Sequence, residues 1–303
     1  AFALYQTTIG PALLTEDVRE VIIVPSERLG TIPFEALVTD TTPATRWSEL
    51  HYVQNRWQVR YARTMREALG PATVLPNQPM RFMVARAAGR SPLPFAMQLA
   101  NEQEGWHDGP VTRAAILGSM QVFAPLHIAT HGEVPSEPDG LPRLLLDDGS
   151  ITIVELDSVR CTSPFIVLST CSSGEGRVYI GEGTLSLAHS FLRGGAKAVV
   201  QTLWPVDDQA TSEILGQMYM YMENRLSADE ALAKAKRAFV KNHADDALSN
   251  PFYWSGIVFT GSEVRPPERS RWIWWTSGAA LLLAAVGYRS FRRSRRPRAL
   301  PAN

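Results

Sequence analysis

Residues 126–132 read Leu-His-Ile-Ala-Thr-His-Gly, and residues 164–174 read Pro-Phe-Ile-Val-Leu-Ser-Thr-Cys-Ser-Ser-Gly. Each is a short apolar run that stops at small or turn-forming residues, the pattern of a strand buried on both faces in a parallel sheet under helices. His131 with Gly132 closes the first run and Cys171 closes the second, so two reactive side chains fall at carboxyl ends of strands. In an open α/β sheet that edge gathers the loops that bind ligands. An imidazole beside a thiol shifts it toward thiolate, the form that attacks a carbonyl carbon. The chemistry implied is acyl transfer, in its simplest form peptide hydrolysis. With His131 as base, the backbone N–H groups of Gly132 and Cys171 are candidate oxyanion donors.

Outward from these strands the pattern alternates between strand and helix. On the N-terminal side, residues 21–24 and 32–37 read as two arms of an edge hairpin around a turn at 25–31. Residues 52–61 read as a strand, 64–69 as a short helix stopped by Gly70-Pro71, 80–88 as a strand, and 95–106 and 112–120 as helices. Between the two central strands, 144–153 reads as a hairpin turning at Asp147-Asp148-Gly149-Ser150, with a short helix starting at Val154. Beyond Cys171 a glycine-rich loop, 172–183, precedes a helix capped by Thr184 and closed by Gly194-Gly195. A strand at 198–203 leads to Asp207 and Asp208, one of which caps the next helix. Ser227 and Glu230 have capping-box spacing for another helix, and 257–260 supplies the last strand. This alternation specifies a three-layer α/β/α sandwich.

Five blocks add to the strand-end motifs: LGTIPFEAL (29–37), HIATHG (127–132), LSTCSSG (168–174), FLRGGAKAVVQTLWPVDD (191–208) and NPFYWSGIVFTG (250–261). In their wording and order the chain resembles the CHAT family of caspase-like, separase-like cysteine peptidases, over residues 1–262. The resemblance implies a caspase-like sandwich, a His131–Cys171 dyad, a protein or peptide substrate, and helical repeats upstream or in a separate regulatory chain. It also implies a second role for Asp207 or Asp208, as the carboxylate facing a basic side chain at the substrate's P1 position. No 34-residue self-similarity is present in the sequence itself.

The 30 basic and 30 acidic residues balance overall, yet nine arginines and a single glutamate, Glu268, lie from Arg265 onward. Residues 1–264 therefore hold 21 basic and 29 acidic groups, a net of about −8. An acidic body excludes the basic stripe of a nucleic-acid binder and suits basic peptides. HExxH, CxxC, GxGxxG and the P-loop pattern are all absent, so no metal or cofactor is expected. Of the two cysteines, Cys161 has no strand-end context and reads as a small buried hydrophobe.

Residues 263–271 form a linker. Residues 272–288 (WIWWTSGAALLLAAVGY) carry no charge and end in aromatics, about 26 Å of helix and near the lower limit for a single transmembrane span. Residues 289–303 form an Arg-rich tail, with Arg289, Arg292, Arg293, Arg295, Arg296 and Arg298 outnumbering Arg265, Arg269 and Arg271 upstream. The positive-inside rule then puts the tail in the cytoplasm and the body outside it. The alternative topology is a tail anchor with a cytoplasmic body. Ala1 lies inside a helical pattern, which suggests a start set by processing.

The expectation is a membrane-tethered cysteine endopeptidase acting through Cys171 and His131. A catalytically silent scaffold or protein-interaction module is the alternative, and a non-proteolytic acyl transferase also fits the dyad.

Overall fold

The computed structural model describes residues 1–13, 18–25, 29–30, 32–87, 89–106, 109–133, 140–170 and 182–267, with side chains from 187 onward in the last stretch. The chain divides after Pro266. Elements run in chain order as α1 (Phe2–Thr7), β1 (Glu20–Ile23), α2 (Val53–Arg56), β2 (Gln58–Tyr61), α3 (Met65–Ala68), β3 (Thr73–Val74) and β4 (Arg81–Val84). Next come α4 (Pro94–Asn101), α5 (Arg113–Met120), β5 (Leu126–Thr130), β6 (Gly132–Glu133), β7 (Arg143–Leu146), β8 (Gly149–Thr152) and α6 (Ile153–Asp157). The remainder is β9 (Phe165–Thr170), α7 (Glu182–Gly194), β10 (Ala198–Thr202), α8 (Asp208–Glu223), α9 (Ala228–Asn242), α10 (Pro251–Trp254), β11 (Ile257–Gly261) and β12 (Val264–Arg265).

A seven-stranded sheet in the order β1-β2-β11-β10-β9-β5-β4 organises the body. β4, β5, β9 and β10 are mutually parallel, as are β1, β2 and β11. The two sets run in opposite directions and meet at the antiparallel β10–β11 seam, where Ala198 faces Gly261 and Thr202 faces Ile257. Every residue of β5, β9, β10 and β11 is buried. Alternate side chains serve opposite faces, which is why these strands read as unbroken apolar runs. Phe165 and Val167 join α4, α8 and α9 residues such as Ile214 and Phe239 in one core. Ile166 and Leu168 join Ile116 of α5, Leu156 of α6 and Phe191 of α7 in the other. Each such side chain is worth about 1.5–3 kcal/mol of transfer free energy.

The glycine pair at the end of α7 closes the helix as its sequence indicates. Gly195 has φ of +131°, and a Cβ there would sit 2.5 Å from the Cys161 carbonyl oxygen, so no other residue fits without displacing the backbone.

The N-terminal hairpin is not formed. β1 pairs in parallel with β2, and the segment between them crosses over through a 3-10 turn at Phe34–Ala36 and the short helix α2. A parallel pair requires such a crossover. It is held down by burial: Phe34, Leu37, Val53 and Trp57 form a third apolar cluster with Ile23, Val59 and Leu203. The expected 52–61 strand is accordingly split into α2 and β2. Two caps also differ. α7 begins at Glu182, so Thr184 lies inside it, and Ser227 makes no side-chain cap bond. Among the described residues no helix is long and apolar enough to cross a membrane; the apolar run bordered by Trp272 and Tyr288 lies outside them.

The same crossover carries a buried ion pair. Lys236 of α9 donates to Glu35 at 2.8 Å, with both side chains 4% exposed, and the Tyr61 hydroxyl donates to the other Glu35 oxygen. Glu35 thus ties the LGTIPFEAL block to α9 and to β2 at once. Lys236→Met should destabilise the fold by roughly 3–5 kcal/mol by stranding Glu35. The double variant Lys236→Met/Glu35→Gln should recover part of that loss. Urea midpoints of the three proteins check this, and equal midpoints for wild type and Lys236→Met would refute it.

Candidate active site

β5 and β9 pair in parallel with Thr130 opposite Thr170. His131 is the next residue after the first, and Cys171 the next after the second; Cys171 itself lies outside the described residues. The edge is pinned by side chains of those threonines. The Thr130 hydroxyl donates to the Leu145 carbonyl, and Thr170 Oγ1 meets Thr202 Oγ1 of β10 at 3.1 Å.

His131 is buried, and its Nε2 lies 2.8 Å from the Ser91 carbonyl oxygen. A carbonyl only accepts, so Nε2 carries a proton in this arrangement. Gly132 follows in β6, paired with Leu144 of β7. The Leu145 N–H donates to the His131 carbonyl at 2.9 Å, which makes Gly132 and Leu144 a non-hydrogen-bonded pair and turns the Gly132 N–H away from β7. A Cβ at Gly132 would meet Thr170 at 3.5 Å, an ordinary contact, so side-chain packing does not demand glycine at this position.

The two aspartates separate. Asp207 is exposed and caps its own helix, accepting the Ala210 N–H at 2.9 Å. Asp208 caps a different one: its carboxylate accepts the N–H of Phe95 at 2.9 Å and of Ala96 at 3.3 Å, the first turn of α4. Burial raises the Asp208 carboxyl above its ordinary range, those two N–H bonds oppose it, Asp207 adds to the rise, and the charge of nearby His131 lowers it.

Residues 1–262 match the CHAT domain. This chain belongs to the CHAT domain family. Tetratricopeptide repeat protein 28 of Mus musculus is 30% identical over 115 residues, which is 38% of this chain and 4% of that protein. The Homo sapiens protein of that name is 28% identical over 137 residues, 45% of this chain and 5% of that protein. The CHAT chain therefore spans only about a twentieth of these curated relatives. Among solved structures, the Saccharomyces cerevisiae separase–securin complex is similar with a TM-score of 0.52 at 14% identity, over 81% of this chain and 16% of that one. The Arg-specific cysteine proteinase gingipain R is similar with a TM-score of 0.51 at 13% identity, over 86% of this chain and 67% of that one. The CHAT domain thus has the fold of caspase-like cysteine peptidases, a mixed sheet with helices on both faces.

Cys161 and His127 are packed into the fold. Cys161 is a buried free thiol, and burial pushes its pKa up to about 11. His127, one turn of the pleat before the site, sits between Ser169 Oγ at 2.8 Å and the Tyr219 hydroxyl at 2.9 Å. Burial drives its pKa from 6.5 down to about 3, so it is neutral in the fold at physiological pH. A depressed folded-state pKa gives stability that is present above about 6.5 and lost as pH falls toward 3. The thermal midpoint should fall over that window, and His127→Gln should flatten its pH dependence; an unchanged slope would remove His127 from the acid response.

Ser91 is the functional residue that sequence reading missed. Its contribution is a backbone carbonyl, which leaves no side-chain signature. The Asp208 carboxylate carried a signal, but its partner helix did not.

Proposed function

We propose that this CHAT domain is a cysteine endopeptidase in which Cys171 is the nucleophile and His131 the general base and then acid. The observation that carries it is the pairing of Thr130 with Thr170, the residues immediately before His131 and Cys171. The Cys171 thiolate attacks the scissile carbonyl carbon, a C–S bond forms and the carbonyl π electrons move to oxygen. The N–H of Gly132, turned away from β7, is a donor for that oxyanion together with the N–H of Cys171. Collapse breaks the C–N bond as the His131 imidazolium gives its proton to the leaving amine. Water then attacks the thioester with His131 taking its proton, and the C–S bond breaks to restore thiolate.

The net of about −8 on residues 1–264 favours basic substrates, and the exposed Asp207 is the carboxylate available to a P1 Arg or Lys at this edge. The body is tethered through residues 272–288, with the Arg-rich tail in the cytoplasm and the domain outside it. Protein partners acting through a repeat region fit the kinship with tetratricopeptide repeat protein 28.

A peptidyl acyloxymethyl ketone with Arg at P1 should label Cys171 and not Cys161. Absence of labelling in a folded protein would favour the silent-scaffold alternative. Removing residues 272–303 should release a soluble body that labels equally well, because His131, Cys171, Asp207 and Asp208 all precede the span. Recovery of the truncated body only with membranes would refute the tether.

A further inference from the structure

Nε2 of His131 is held by a backbone atom, the Ser91 carbonyl at 2.8 Å, and a carbonyl in a connecting segment is only as well placed as the segment. The segment from Arg90 to Ala96 is fastened at both ends. On one side Arg90 pairs with Glu133 at 3.1 Å, two residues beyond His131, and Glu133 is itself held by Arg143 of β7 at 2.8 Å. On the other side Asp208 receives the N–H groups of Phe95 and Ala96. Leu93, at the N-cap of α4, offers no side-chain cap of its own, and Pro94 opens the helix. The cap for α4 therefore comes from a residue 112 positions away in sequence, at the start of α8.

We propose that Asp208 and Arg90 are positioning residues for the catalytic histidine, clamping the segment whose Ser91 carbonyl fixes the His131 ring. This rests on the His131–Cys171 chemistry proposed above. The clamp predicts how the dyad responds to its loss. With Nε2–H donated to the Ser91 carbonyl, Nδ1 is the nitrogen that takes the thiol proton. A slackened segment lets the ring turn, Nδ1 leaves the line of the thiol, the thiolate–imidazolium pair is disfavoured and the Cys171 pKa rises. Other charged groups on the elements around His131 are Asp207 at the start of α8, Glu133 on β6, Arg143 on β7 and Arg90 in the segment itself. Glu133 is already shared between the two arginines.

The test is the pH dependence of iodoacetamide alkylation of Cys171, followed by mass spectrometry of the peptide that contains it, in the full chain. Cys161 is buried and does not compete. For Asp208→Asn the alkylation rate at pH 6.5 should fall about tenfold, corresponding to a rise of about one unit in the thiol pKa. The rate at pH 9.5 should equal that of wild type, because thiolate is complete there in both. Arg90→Ala breaks a partly exposed pair and should give a smaller fall in the same direction, about threefold or one-half unit. Thr112→Ala removes the cap of α5, which lies outside the 90–96 segment, and should leave the profile unmoved. Thermal melts of each variant establish folding. If Asp208→Asn does not fold, Arg90→Ala decides the matter, since an unaltered profile there removes the clamp.

His131→Ala separates the two levels of inference. Should it leave the profile unchanged, the dyad itself is wrong. If it shifts the profile while folded Asp208→Asn does not, the dyad stands and the clamp is refuted.

Discussion

Cys171→Ala will abolish peptide hydrolysis, on the order of a millionfold in kcat, while Cys161→Ala will retain it. The size of the first loss follows from the role: without a nucleophile neither the tetrahedral adduct nor the thioester forms, and what remains is binding and oxyanion stabilisation. The small size of the second follows from environment. The Cys161 thiol is buried, its pKa is raised to about 11 by burial, and its Sγ points at the Ser163 carbonyl at 3.6 Å, so it behaves as a small apolar side chain. Its replacement by alanine should cost about 1 kcal/mol of stability and no chemistry. Hydrolysis of an Arg-P1 peptide by the two purified variants, with melting curves alongside, is the measurement. Equal losses at unchanged folding would overturn the assignment of the nucleophile.

His131→Ala should be the next most damaging change. Without the imidazole the Cys171 thiol returns to about 8.5, leaving a few per cent thiolate at pH 7. The leaving amine also loses its proton donor, a contribution of about 10²–10⁴ in rate. The two losses have different pH signatures. Residual activity of the variant should climb about tenfold per unit from pH 6 to 8 as thiolate forms, whereas wild type, whose thiolate is supplied by the dyad, should be much flatter there. A pH–rate profile for kcat/KM checks both points. If the variant keeps wild-type kcat/KM at pH 7, His131 is a buried histidine and no more.

The central part of the fold was legible because burial on both faces erases ambiguity. The apolar runs that lead to His131 and Cys171 form β5 and β9, which end at Thr130 and Thr170, and the helices read at 64–69 and 112–120 form as α3 and α5. Failure concentrated at the N-terminal edge. Residues 21–24 and 32–37 have hairpin spacing, but Phe34 and Glu35 are committed to tertiary partners far away in sequence, a cluster under β2 and Lys236 of α9. Local pattern does not encode partners 201 residues distant. Ser227 shows the limit of spacing on a smaller scale: it stands at the N-cap of α9 with Glu230 three residues on, yet its side chain makes no cap bond. At the site, the side chains that bear chemistry were visible in sequence, whereas the Ser91 carbonyl and the cap that Asp208 places on α4 exist only once α4 and α8 meet.

The position of β11 has a consequence for how the protein is made. The last strand of the large sheet to leave the ribosome sits between β2 and β10, so the strands synthesised first wait for nearly the whole body to be translated before their shared neighbour arrives. Until residue 261 emerges, β2 and β10 expose unpaired edges, and long-range pairings of this kind are slow to close and prone to aggregate. Any truncation upstream of that residue would leave two part-sheets with open flanks, which sets the shortest fragment that can be expected to fold and gives nascent-chain chaperones a defined window in which to act.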